Sequence, residues 1–123
     1  MWPGTPPAER IPSAGWRELL LWSVGRRRRF RIQGASMTPL LHEGDEVLVN
    51  PRAACRPGDV VLARHPFRRD THLVKRLEDF DSDGKARLIG VNARESTDSR
   101  TLGAFGPELL YGRVSSALRP RRG

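Results

Sequence analysis

Turn-forming residues recur along this chain at short, uneven intervals, and a brief apolar run follows each of them. Gly44-Asp45 precedes EVLVN, Pro57-Gly58-Asp59 precedes VVLARH, and Asp83-Gly84 separates LEDFD from KARLIGV. Between them THLVKRLE alternates apolar and polar residues, the period of a half-buried strand. With 12 glycines and 10 prolines in 123 residues, long helices have little uninterrupted chain to occupy. The expected fold is mainly β, a set of short, irregularly connected strands. A chain of this length suits one modest core and leaves no room for a second domain of ordinary size.

Residues 1–13 are proline-rich and aperiodic and read as a disordered leader. A single domain is expected over 14–118, with a helix at about 14–25, a β core at about 30–115, and a basic tail at 119–123. Ser13 is the candidate helix N-cap. Trp16, Leu19, Leu20 and Trp22 give the helix a short apolar face, and Gly25 stands where a C-terminal cap belongs. RRRRFRI then reads as a solvated basic edge entering a first strand through Phe30 and Ile32. The stretch from Trp16 to Arg29 also sets aromatic residues beside arginines, a composition suited to peripheral contact with an anionic membrane. Nucleic acid is not an expected partner, because the chain lacks an aromatic-interleaved basic groove or a recognition-helix pattern.

The formal net charge of +8 attracts anionic partners without choosing among them. A single cysteine, Cys55, excludes an internal disulfide framework and a multi-cysteine zinc site, and reads as a small buried hydrophobe. No metal or other cofactor is expected. The longest pronounced apolar run, Leu19 to Trp22, is far short of the ~18 residues that cross a bilayer. The first residues also lack the order of a secretory signal, so the expected location is the cytoplasm.

The stretch GASMTPLLHEGDEVLV, residues 34–49, raises the question of chemistry. Ser36 is a poor nucleophile until a base takes its proton. His42, His65 and His72 leave a Ser/His/Asp arrangement open, although GASMT is not the nucleophile elbow G-x-S-x-G. Lys75 is the other candidate base. Strand alternation puts Leu73, Lys75 and Leu77 on one face and His72, Val74 and Arg76 on the other. Desolvation among leucines would disfavour the ammonium and leave an amine able to accept a proton. Alternatively, Lys75 snorkels, burying its stem and keeping its head in water. Alternation alone leaves both readings standing.

Four segments together resemble the bacterial type I signal peptidase superfamily, whose members use a Ser/Lys dyad. GASMTPLLHEGDEVLVN is similar to the family's S-M-x-P box running into its G-D-x-V box. RPGDVVLARHP resembles its G-D-V strand, and VKRLE the K-R box that carries the lysine. GVNARESTDSRTLGAF resembles the box with S-x-D-S-R. They occur in the family's order across most of residues 32–114. The resemblance implies a signal peptidase/SOS-repressor-protease-like β fold with one short N-terminal helix. Brevity and STDSR most resemble the nickel-type superoxide dismutase maturation proteases, which implies a precursor of such an enzyme as substrate and partner.

By the same resemblance Ser36 is the nucleophile and Lys75 the general base, with the backbone N–H of Ser36 part of the oxyanion hole. Ser96 orients the lysine, and Asp98 and Arg100 brace the site from behind. Gly34 matches relatives lacking a second hydroxyl there. Met37 fills apolar space beside the cleft, and Pro39 stiffens the bend that presents Ser36. Val91 and Ala93 depart from the family's G-D-N-R, which implies altered bracing there. Two alternatives to a cytoplasmic Ser/Lys endopeptidase remain: a signal peptidase-like enzyme held on a membrane surface, and an inactive protease fold used as a binding module. A self-cleaving repressor is not expected, since the ~30 residues before the core are few for a helix-turn-helix domain.

Overall fold

The most apolar run of the chain, VVLA, lies in a strand that is covered on both faces. This is β3 (Val60–Arg64), and its alternation divides two apolar clusters. Val60 and Leu62 join one cluster with Val47, Val49, Val74 and Val114. Val61 and Ala63 join the other with Leu77, Leu88 and Phe105. The computed structural model describes residues 11–33, 37, 40–90 and 99–118.

The remaining elements are α1 (Trp16–Ser23), β1 (Arg28–Arg31), β2 (Glu46–Asn50), β4 (His72–Phe80), β5 (Ala86–Ile89), α2 (Ser99–Leu102), a 3-10 turn (Pro107–Leu109) and β6 (Leu110–Leu118). The strands form one antiparallel six-stranded sheet in the order β1-β2-β6-β3-β4-β5. The mainly β expectation therefore holds. Hairpins join β1 to β2, β3 to β4 and β4 to β5, and β6 inserts between β2 and β3. Register shifts at Leu48/Val49, Leu62/Ala63 and Leu77/Asp79 bend the strands, as bulges do, and curl the sheet.

Gly112 lies at one of these irregularities because nothing larger fits. A Cβ there would stand 2.4 Å from the carbonyl oxygen of Asn50, and its φ is +158°. The Asp83-Gly84 turn is tied by Asp81, whose Oδ1 accepts the N–H groups of Asp83 and Lys85 at 2.9 Å. The edge strand β1 exposes Arg28, Arg29 and Arg31. At the opposite side Phe105, fully buried, exchanges two backbone hydrogen bonds of 2.7 Å with Ala86 and covers the start of β5.

Three expectations need correction. Ser13 does not cap α1: Gly15 is the N-cap and no side chain caps it. The reason is competition, because Ser13 bridges Ala117, the Ala14 N–H donates to the Ala117 carbonyl at 2.7 Å, and Pro12 accepts from Ala117 at 2.8 Å. The same pairing, with Ile11 only 3% exposed in the core, makes 11–13 part of the fold rather than of a loose leader. Residues 1–10 and 119–123 lie outside the described residues. Finally, the first strand starts at Arg28, earlier than Phe30, and ends before the buried Ile32.

Helix α1 ends as expected at Gly25. The N–H of Gly25 donates to Trp22 and that of Arg26 to Leu21, a Schellman closure that needs the glycine's φ of +80°. Its apolar residues, however, face solvent. Trp16 is 78% exposed, Leu20 53% and Val24 63%, while the body-facing side centres on Glu18, flanked by half-buried Leu21 and Trp22. Glu18 accepts hydrogen bonds from the hydroxyls of Ser115 and Ser116 and from Arg27 Nε. Burial alone would raise its carboxyl, but these donors and the Arg27 charge hold it below the usual carboxylate range.

Candidate active site

Strand β4 places Lys75 opposite Val61 and Leu73 opposite Ala63. Cross-strand partners share a face, so Lys75 rises on the side of the cluster that includes Val61, Ala63, Leu73 and Leu77. The whole residue is 2% exposed, so its head as well as its stem has left the solvent. Snorkelling does not describe it.

Lys75 lines a small cavity of about 30 Å³ with Phe30, Ile32, Gln33, Met37, His72, Leu73 and Val74. Such a space admits a water molecule. Met37 is 1% exposed, belongs to the core, and its carbonyl accepts the Leu41 N–H at 2.9 Å. A larger hollow of about 430 Å³ adjoins it, sharing Phe30 and His72 and reaching Arg28, Arg29, Val49, Pro51, Leu62 and Tyr111. His72 is set between two rings, with its centroid 6.0 Å from Phe30 and 5.3 Å from Tyr111. β1 and β4 are not neighbours in the sheet, yet the curl brings the end of one against the start of the other. The larger hollow and the small cavity beside Lys75 meet there, at Phe30 and His72.

The other two histidines line neither of these cavities. His65 is 8% exposed, and its Nδ1 accepts the Phe67 N–H at 3.0 Å. Burial, with Arg68 adding to it, holds its imidazole below the ordinary histidine value. His42 is exposed, its backbone N–H donating to Asp45 Oδ2 at 2.9 Å. Cys55 is half-buried against the second cluster, and burial raises its thiol.

Of the sequence-predicted site residues, the structure brings Lys75 and Met37 to one cavity and puts Arg100 at the exposed side of α2. The start of α2 is fixed to the sheet, since Ser99 Oγ accepts the Leu88 N–H at 2.8 Å. Gly34, Ser36, Pro39, Ser96 and Asp98, with the departures Val91 and Ala93, lie outside the described residues. Phe30, His72 and Tyr111 were not singled out as site residues. His72 and Phe30 each flank a quoted box, which is a local signal, but Tyr111 joins them only through the sheet's curl. Among the described residues, no three His, Cys, Asp or Glu side chains gather as a metal site, and no helix is long and apolar enough to cross a membrane.

No curated protein matches this sequence. The Peptidase S24-like family profile matches residues 26–102, a span that runs from the arginine cluster through the buried lysine to the end of α2. This match supports a serine protease-type function. With well over half of its length covered, the chain belongs to the Peptidase S24-like family.

Proposed function

We propose that the protein is a serine endopeptidase in which Ser36 attacks the scissile carbonyl and Lys75 is the general base. The observation that carries this reading is the burial of Lys75 to 2% exposure beside a cavity that also receives Met37, the chain neighbour of Ser36. A lysine kept from water is favoured as the amine, the form that can accept the serine proton. The Ser36 oxygen then bonds to the carbonyl carbon while its proton passes to the lysine nitrogen. Collapse of the tetrahedral species breaks the C–N bond, and the lysine returns that proton to the departing amine. Water, deprotonated by the same lysine, releases the acyl group and restores the serine.

The Ser36 N–H contributes to the oxyanion hole, and Ser96 directs the lysine lone pair. Asp98 and Arg100 hold that region from behind. Gly34 offers no hydroxyl at its position, so the oxyanion depends on backbone donors, and Pro39 stiffens the loop. An extended peptide fits the gap between β1 and β4 as an added strand, its side chains reaching the hollow beneath Phe30 and His72. The substrate is a precursor with a removable N-terminal extension, and the similarity in the STDSR region points to a nickel-type superoxide dismutase proform met in the cytoplasm.

The test is incubation of the purified protein with that precursor, with the new N-terminus read by mass spectrometry and Ser36→Ala and Lys75→Ala run alongside. Cleavage at one bond, lost in both variants, is the expected result. Cleavage that survives Lys75→Ala removes the dyad. Failure of a folded sample to cut this precursor while it cuts other peptides removes only the substrate.

A further inference from the structure

Helix α1 is attached to the body the wrong way round for a soluble amphipathic helix. At about 100° per residue, Trp16, Leu19, Leu20 and Val24 fall on one continuous face, and all four are exposed. The opposite face presents Glu18, which is held by Ser115, Ser116 and Arg27. An apolar stripe that points outward while a carboxylate is tucked inward is a surface kept for a partner.

We infer that this face docks on an anionic lipid bilayer. Arg17, Arg26 and Arg28 are exposed around the stripe, which is thus an apolar centre with a cationic rim. Trp22 lies under the Arg29 guanidinium, 5.5 Å from ring centroid to cation, and Arg29 also bridges Glu46 at 3.1 Å, so the helix and the edge strand hold their charges in a fixed arrangement. A bilayer with acidic headgroups matches both parts, the leucines and Trp16 entering the interface and the arginines meeting phosphates. A second copy of the chain fits less well, because a two-fold contact through this face would set its arginine rim against an identical one. The inference rests on neither Ser36 nor Lys75. Its test reads binding rather than cleavage, so it can fail while the protease reading stands.

The experiment is co-sedimentation of the full chain with vesicles of phosphatidylcholine containing phosphatidylglycerol, against phosphatidylcholine alone, at low and high salt. Binding to the anionic vesicles that weakens with salt is expected. The double variant Leu19→Ser/Leu20→Ser should bind about tenfold more weakly or worse, from the loss of buried apolar area. Both leucines are exposed, and circular dichroism checks that the variant stays folded. No binding to the anionic vesicles overturns the inference, as does binding that the double variant leaves unchanged. A concentration-dependent dimer in sedimentation equilibrium, abolished by the same variant, also overturns it and assigns the face to self-association.

Discussion

Helix α1 and strand β4 distribute their residues in opposite senses. In β4 a lysine is withdrawn from water among valines and leucines, while in α1 leucines and a tryptophan stand in water and a glutamate is sheltered. The contrast separates two uses of an unfavourable placement. Lys75 is enclosed by the sheet around it and by the apolar side chains of its neighbours. Leu19 and Leu20 are exposed and contribute little to folding, because the helix is held on its other side by the hydrogen bonds of Glu18. One region encloses a polar nitrogen; the other leaves apolar area facing solvent.

The sharpest way to break this contrast is Lys75→Met. If the lysine serves chemistry at a cost to folding, activity falls by about 10³-fold or more, while stability in urea is unchanged or rises by about 1 kcal/mol. A variant that unfolds more easily would show the lysine to be a structural strut. Next in size, Leu77→Ala should cost about 3 kcal/mol, since Leu77 is fully buried in the second cluster.

On the helix side, Glu18→Ala should cost about 2 kcal/mol through lost charged hydrogen bonds. Amide exchange should show α1 losing protection while β4 keeps it. Acid should mimic that variant. The folded carboxyl titrates below its unfolded value, so its stabilisation is complete above about pH 4.5 and disappears as pH falls through the folded pKa. The imidazole of His65 is also lowered, so its contribution begins to fade earlier, as pH drops below about 6.5. Exchange at the Arg64 to Thr71 turn should therefore rise before exchange in α1 does. The smallest effect belongs to Leu20→Ala, within about 0.5 kcal/mol by the same urea measurement. A loss comparable to that at Leu77 would mean that the outer face of α1 is already covered.

What could be read from the chain follows the range of the forces involved. β2, β3, β4, β5 and the Asp83-Gly84 turn were legible because turn chemistry and alternation act within a few residues. β6 was hidden, since LYGRVSSAL is broken by Gly112 and carries two adjacent serines, yet it takes a central place by pairing with two distant strands. The period of α1 was visible but its direction was not, because Ser115 and Ser116 lie 97 and 98 residues from Glu18. Ser13 has the chemistry of a cap and loses to an extended pairing with Ala117. At the site, alternation assigned Lys75 a face, but only the register with Val61 and the covering of both faces settle its burial. The groove lined by Phe30, His72 and Tyr111 comes from three strands and has no local signature.

The position of β6 also bears on when the sheet can be completed. β1 with β2, and β3 with β4 and β5, are hairpin units whose partners are near in sequence and can pair as soon as they are made. The two units do not touch each other in the sheet; β6, the last strand in chain order, is the seam between them. The segment bearing Met37 belongs to the first unit and Lys75 to the second. Residues 110–118 are therefore the last piece of the sheet to be made, and only with them in place is the strand pair that carries Met37 tied by backbone hydrogen bonds to the strands that carry Lys75.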